Sequence, residues 1–200
     1  MKDAIILIGF QNDYFANDGI LRRVVEESSK NTNVVENTVN LLRNISKDTL
    51  VISTPIIFSE NYLELTEPVG ILKTIMEVGA FQKGSRGSET IDEIKAFGDR
   101  ITEIPGKLGL NAFVNTNLET VLREHGVKNI FLAGTVASIC IDSTGRSAFE
   151  HGFKVSMVSD CISGRTVFEK DYFVEHVYPL YADVLTSKKF IAAETEKTLV

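Results

Sequence analysis

A chain of 200 residues with 44% hydrophobic and 24% charged side chains has globular composition and length enough for a well-buried core, which excludes disordered and fibrous classes. Its 21 Lys and Arg stand against 27 Asp and Glu, a net charge of -6 with no block of like charges, so no nucleic acid and no anionic membrane surface is expected as a partner. The longest apolar runs, at 4–8 and 130–133, fall far short of the ~20 residues of a spanning helix, and Met1-Lys2-Asp3 leads straight into a strand, so no membrane span and no signal peptide are expected.

In chain order, residues 4–8 (Ala-Ile-Ile-Leu-Ile) form an unbroken β-branched and aliphatic run, the pattern of a parallel strand covered on both faces. Val35, Val39, Leu42 and Ile45 then recur at helical spacing after Asn33, where Glu36 three positions on completes a capping box. Residues 50–53 repeat the strand pattern, closing a β-α-β unit. The stretch 60–98 is less periodic, holds Gly70, Gly79, Gly84 and Gly87, and is expected to form irregular excursions around a site. Leu118, Val121 and Leu122 predict a helix stopping near Gly126, followed by a strand at 129–133 and then Gly134. A helix from about Cys140 to Glu150 ends at His151-Gly152. A strand at 153–158, a helix at 167–178, a short strand at 183–185 and a last helix complete the chain. Strands alternating with helices predict a doubly wound α/β sheet with its site beyond the carboxyl ends of the strands. No repeat or linker divides the chain, so one domain over 1–200 is expected. The two cysteines, Cys140 and Cys161, form no CxxC pair, so neither a disulfide framework nor a zinc knuckle is indicated, and a reducing cytoplasm is the expected compartment.

Three loci fall at strand ends: Gly9-Phe10-Gln11-Asn12-Asp13-Tyr14-Phe15, Pro105-Gly106-Lys107, and Gly134-Thr135-Val136-Ala137-Ser138-Ile139-Cys140. In the third, a strand ends and a helix begins, which sets a thiol among free backbone N–H groups at the positive end of a helix dipole. That setting favours a thiolate and can hold an oxyanion, which suits acyl transfer through a thioester. The competing reading is that Cys140 is a small buried hydrophobe, as free cysteines commonly are. Lys107, after Pro105-Gly106, reads on its own as a solvated loop residue.

These segments, with Phe81-Gln82-Lys83-Gly84-Ser85-Arg86-Gly87-Ser88-Glu89, Lys107 followed by Phe113, Thr116 and Leu118, and Leu132-Ala133-Gly134-Thr135-Val136-Ala137-Ser138-Ile139-Cys140-Ile141 followed by Thr144, Ala148 and Gly152, resemble the isochorismatase-like hydrolases in their cysteine hydrolase branch. The resemblance runs to about Thr166. It implies a Rossmann-like three-layer α/β/α sandwich with a six-stranded parallel sheet, assembled as a homo-oligomer, and a small-molecule substrate. It also implies an Asp-Lys-Cys triad: the nucleophile falls on Cys140, the lysine on Lys107, and the oxyanion donors on the N–H groups of Val136 and Cys140, with a cis peptide at Thr135-Val136. Pocket walls are expected from Phe10, Tyr14, Ile56, Phe58 and Phe113, although strand-end aromatics often pack in cores instead. Arg86 is a candidate partner for a substrate carboxylate, against its commoner role as an exposed loop residue.

The chain departs from the pattern at Gly9, where the resemblance implies the aspartate that accepts the thiol proton and returns it to the leaving amine. Glycine does neither, and loss of a positioned general acid/base typically costs ~10²–10⁴ in rate. Three accounts stand open: an engineered substitution that traps substrate, a natural inactive relative that binds a small molecule or protein, or replacement of the acid by another carboxylate or a water. Asp13 is the nearest carboxylate in sequence, but its counterpart serves the loop's structure. No metal and no other cofactor is expected. Nicotinamidases of this superfamily place an Asp-x-His pair after the second strand's threonine, whereas Thr54 here precedes Pro55-Ile56-Ile57-Phe58. His125, His151 and His176 fall on helix ends or faces. Isochorismate is disfavoured because vinyl ether hydrolysis uses the aspartate and not the cysteine, which leaves amide, carbamoyl or imide C–N bonds as the expected substrate class. Cys161 reads as core, and the charged run at 194–197 as a solvated helix face.

Overall fold

The computed structural model describes residues 2–198, so both ends of the expected 1–200 domain lie outside the described residues. Its elements run β1 (Lys2–Ile8), α1 (Asn12–Phe15), α2 (Arg22–Thr32), α3 (Val34–Asn44), β2 (Leu50–Thr54), α4 (Gly70–Val78), α5 (Asp92–Lys95), β3 (Thr102–Glu103), α6 (Leu118–Glu124) and β4 (Val127–Thr135). A π-helical turn at Ala137–Ile141 then runs into α7 (Asp142–Glu150), followed by β5 (Lys154–Ser163), α8 (Val167–Tyr172), β6 (Asp183–Leu185) and α9 (Ser187–Thr198). The strands form one six-stranded sheet in the order β3-β2-β1-β4-β5-β6, parallel at every pairing. Helices cover both faces, giving the three-layer sandwich that the alternation of elements predicts. No helix is long and apolar enough to cross a membrane among the described residues.

The two faces of the sheet follow strand alternation. Ala4, Ile6, Ile8, Ile130 and Leu132 pack with α6 and α7 through Leu118, Leu122 and Ala148. Ile5, Leu7, Phe131 and Ala133 pack with α3 and α9 through Val34, Leu41 and Phe190. Each fully buried aliphatic side chain contributes roughly 1.5–3 kcal/mol before conformational entropy is subtracted. A third cluster lies beyond the strand ends, where Tyr14, Ile56, Phe58, Tyr62, Phe81 and Val136 meet Val25 of α2 and Ile75 of α4. It roofs the site.

Four local expectations change. The capping box at Asn33 does not form, because Asn33 ends α2 in the left-handed conformation (φ 52) and makes no side-chain cap bond, whereas a capping residue needs extended backbone. Both α2 and α4 lie where no helix was expected, since α2 buries only Val25 and Ser28 and α4 only Ile75, too few to mark a stripe. The helix that carries Cys140 begins at Ala137 rather than near Cys140 itself. Glu194, expected on a solvated face, is buried and accepts a hydrogen bond from Thr49 Oγ1 at 2.8 Å, while the side chain of Lys197 lies outside the described residues.

Candidate active site

The central strands β1 and β4 end side by side, with Ile8 opposite Gly134. A Cβ at Gly134, whose φ is +127, would lie 1.8 Å from the Ile8 carbonyl oxygen, so only glycine lets the strands approach there. From this point β4 passes through Thr135, a cis Thr135-Val136 peptide and the π-helical turn that carries Cys140. The turn is anchored on itself, with Ile139 N–H and Ile141 N–H donating to Val136 O at 3.1 and 3.2 Å. It is also anchored from outside. Tyr178 Oη donates to Ala137 O at 2.8 Å, and the buried Glu169 carboxylate accepts from Ser138 Oγ and, at 3.4 Å, from Ser138 N–H.

Lys107 arrives from the sheet's other half, where it bridges Ile56 in parallel and so extends the pairing beyond β2. It is fully buried. Its Nζ donates to Gly109 O at 2.6 Å and to Cys140 Sγ at 3.4 Å. The structure thus joins the two residues that sequence spacing singled out, 33 positions apart. A buried ammonium needs hydrogen-bond acceptors and an opposing charge. Neither acceptor here is a carboxylate.

Gly9 follows the end of β1 with φ +74, and a Cβ there would meet Thr135 O at 2.8 Å, Thr135 Cγ2 at 3.1 Å and Tyr14 Cδ2 at 3.6 Å. Thr135 therefore crowds the first carbon of any side chain at position 9, while the Tyr14 ring lies at ordinary contact distance. Burial, followed by the neighbouring Cys140 thiol and Asp13 carboxyl, pushes the Tyr14 phenol up. Asp13 is committed elsewhere: its Oδ2 accepts from Phe81 N–H at 2.6 Å, and a Cβ at Gly87 would lie 2.1 Å from its Oδ1. Burial raises the Asp13 carboxyl, while bonds from the Phe81 and Ile20 N–H groups oppose that rise. Its role is to tie the loop after β1 to the roof.

Gln11 and Asn12, to which the sequence assigned no separate role, complete that tie. Gln11 Nε2 donates to Ile56 O and Ser88 O, each at 2.7 Å, and its Oε1 accepts from Ile56 N–H at 2.9 Å. Asn12 Nδ2 donates to Arg86 O at 2.9 Å. One amide side chain thus fixes the segment that Lys107 pairs with. Glu169 and Tyr178 are further residues that sequence reasoning missed, since only the folded chain brings them under the turn.

The expected pocket walls divide. Tyr14, Ile56 and Phe58 sit in the roof cluster next to Val136. Phe58 also lines a cavity of about 740 Å³, together with Ile57, Pro105, Gly106 and Leu108, the residues flanking Lys107. Phe113 packs in the cluster that includes Cys140, with its ring stacked on His151 at 5.2 Å. Phe10 departs from expectation: it stacks on Phe15 at 5.5 Å in the core layer of Ile5 and Leu7. Arg86 pairs with exposed Asp18 at 2.7 Å, a surface ion pair. Cys161 is fully buried, and burial pushes its thiol up to about 12.

The residues do not fit a metal of the nicotinamidase kind. The two positions that would carry ligands hold Ile56 and Phe58, which have no donor atoms and pack in the roof. Among the described residues no group of three or more His, Cys, Asp or Glu is arranged to hold an ion. His125 bonds Val121 O, His151 pairs with Glu119, and His176 lies beside Glu175.

The model of the isochorismatase domain matches residues 3–189. An uncharacterized isochorismatase family protein of Bacillus subtilis, YddQ, is 28% identical over 204 residues, covering 96% of this chain and 99% of its own. A ureidoacrylate amidohydrolase of Pseudomonas savastanoi pv. phaseolicola is 25% identical over 165 residues, covering 74% of this chain and 65% of its own. Among solved structures, a cysteine hydrolase from Pseudomonas syringae pv. phaseolicola superposes with a TM-score of 0.83 at 18% identity, covering 98% of this chain and 93% of that one.

Proposed function

The chain belongs to the isochorismatase family, and from that premise we propose that it hydrolyses a small-molecule amide, carbamoyl or imide C–N bond through a thioester on Cys140. The observation that carries the reading is the contact of Lys107 Nζ with Cys140 Sγ at 3.4 Å, in a buried pair at the carboxyl ends of the strands. Similarity to a relative named as an amidohydrolase supports the C–N class.

In this reading the Lys107 ammonium stabilises negative charge on Sγ, and the start of the helix that carries Cys140 adds its dipole. Sγ attacks the acyl carbon, and the N–H groups of Val136 and Cys140 hold the oxyanion. Gly9 supplies no acid/base, and without another group to carry the proton such a site turns over ~10²–10⁴ more slowly. The conformation of Gly9 bears on its origin. A single exchange with aspartate meets Thr135 O, so the surrounding backbone is built for glycine. That observation also favours a second reading, a binding module on the same scaffold without turnover. The reading includes a homo-oligomeric assembly, which light scattering on the purified chain checks.

The test is ammonia release from a panel of small amides, carbamates and cyclic imides by the chain and by Cys140→Ala. Release that disappears in Cys140→Ala supports the hydrolase. Ligand-dependent thermal stabilisation without release from any member supports the binding module and refutes turnover.

A further inference from the structure

Resting on the reading of Cys140 as nucleophile, we infer that Lys107 is the proton carrier of this site, so that the chain works as a Cys-Lys dyad.

The inference follows from the direct contact of Lys107 Nζ with Cys140 Sγ and from how the titratable groups of the β1 loop and of the turn that carries Cys140, together with the histidines, are engaged. Position 9 offers none. Asp13 is held by the Phe81 and Ile20 N–H groups. Glu169 is held by Ser138 and by Arg165 Nε at 2.7 Å. His125, His151 and His176 are bonded to or paired with groups on their own helices or on α6. Tyr14 is close, but its phenol holds its proton more tightly than usual. Among the described residues, the side chain in contact with Sγ that can both donate and accept a proton is Lys107, whose remaining acceptor is the Gly109 carbonyl. Buried lysines are suited to general-base work, and lysine partners a nucleophile in other hydrolase dyads.

Each step balances. The reacting form of the pair is thiolate and ammonium, reached by transfer of the Sγ proton to Nζ. Sγ forms a bond to the acyl carbon and the carbonyl π pair moves to oxygen. The C–N bond breaks as Nζ–H passes its proton to the departing nitrogen, leaving a thioester and a neutral amine. That amine takes a proton from water as the water oxygen bonds to the acyl carbon. The C–S bond then breaks, and the acid leaves with thiolate and ammonium restored. No co-reactant beyond water enters.

The experiment uses the full chain and two probes, 4-nitrophenyl acetate, whose leaving group departs unprotonated, and 4-nitroacetanilide, whose leaving amine needs a proton. Nitrophenol and nitroaniline are followed by absorbance, and the acyl adduct by intact mass. The unaltered chain turns over both probes for many equivalents. Lys107→Arg keeps a positive charge that does not release its proton. It is expected to take one acetyl equivalent from the ester at a rate within about tenfold of the unaltered chain, and to lose turnover of both probes by ~10²–10⁴. If the larger arginine prevents folding, Lys107→Ala with added amine decides: rescue by ethylammonium but not by tetramethylammonium is expected, and equal or absent rescue overturns the inference. Turnover by Lys107→Arg at the original rate overturns it, as does an unaltered chain that stops at one equivalent or a Tyr14→Phe variant that stops there. Cys140→Ala behaving like the unaltered chain refutes the underlying reading of the site instead.

Discussion

Gly9 and Gly79 offer a matched pair of substitutions. Both have nearly the same backbone conformation, φ +74 and +75, but a Cβ at Gly79 meets nothing within 4 Å whereas one at Gly9 meets Thr135 O at 2.8 Å. Placing an L side chain in the left-handed region costs about 1–2 kcal/mol, and overpacking against backbone adds typically ~1–3 kcal/mol. At roughly 2–4 °C per kcal/mol for a chain of this size, Gly79→Ala lowers Tm by about 2–8 °C and Gly9→Ala by about 4–20 °C. Gly9→Asp follows Gly9→Ala, so restoring a carboxylate carries this loss of stability and does not by itself restore family geometry. Because the chain has no tryptophan, the melts are read by far-UV circular dichroism or tyrosine fluorescence. Equal destabilisation at the two positions would refute the contact with Thr135, and with it the argument that the site is built around glycine.

Other perturbations test the supports of the site. Gly134→Ala, whose Cβ would lie 1.8 Å from Ile8 O, is expected to abolish native-like folding or lower Tm more than any other glycine substitution described here, as read by soluble yield and circular dichroism. Glu169→Ala removes the acceptor for Ser138 and Arg165 and is expected to cost about 1–3 kcal/mol in urea unfolding, with slower alkylation of Cys140 by iodoacetamide. Cys161 is pushed up from 9.0 to about 12 chiefly by burial, so the folded state holds the thiol proton more tightly than the unfolded chain. Its contribution is therefore complete below pH 9 and is lost as pH rises toward 12, at most about 4 kcal/mol. Cys161→Ala should flatten the decline in stability over that range, and an unchanged slope would assign the alkaline loss to Tyr14, Tyr178 and Tyr181, whose phenols burial also raises.

How much of this was legible in the sequence depends on the range over which the physics acts. The central strands were readable because a strand buried on both faces must be apolar at every position, and residues 4–8 and 130–133 are. The two-residue β3, exposed on both positions, has no such requirement and left no pattern. Lys107 and Cys140 sit at strand ends, where open α/β sheets place their sites, but Lys107 gained its meaning only from its spacing to Phe113. Nothing local marks Glu169 or Tyr178, because their partners Ser138 and Ala137 are 31 and 41 positions away and an acid or a tyrosine in a helix has many other uses.

Phe10 shows why strand-end residues are the hardest to place. Alternation along β1 puts residues 4, 6 and 8 on one face and 5 and 7 on the other, and simple extension would send residue 10 with the even set, on the face that also holds Cys140. Gly9 breaks that extension, since its positive φ turns the chain and delivers Phe10 to the layer of Ile5 and Leu7. The position at which the resemblance implies a carboxylate thus also redirects the chain that follows it. Gln11, Asn12 and Asp13 then reach the roof loops from this turned position, by bonds to Ile56, Ser88, Arg86 and Phe81. A side chain introduced at position 9 therefore acts on the turn after β1 and on the roof together.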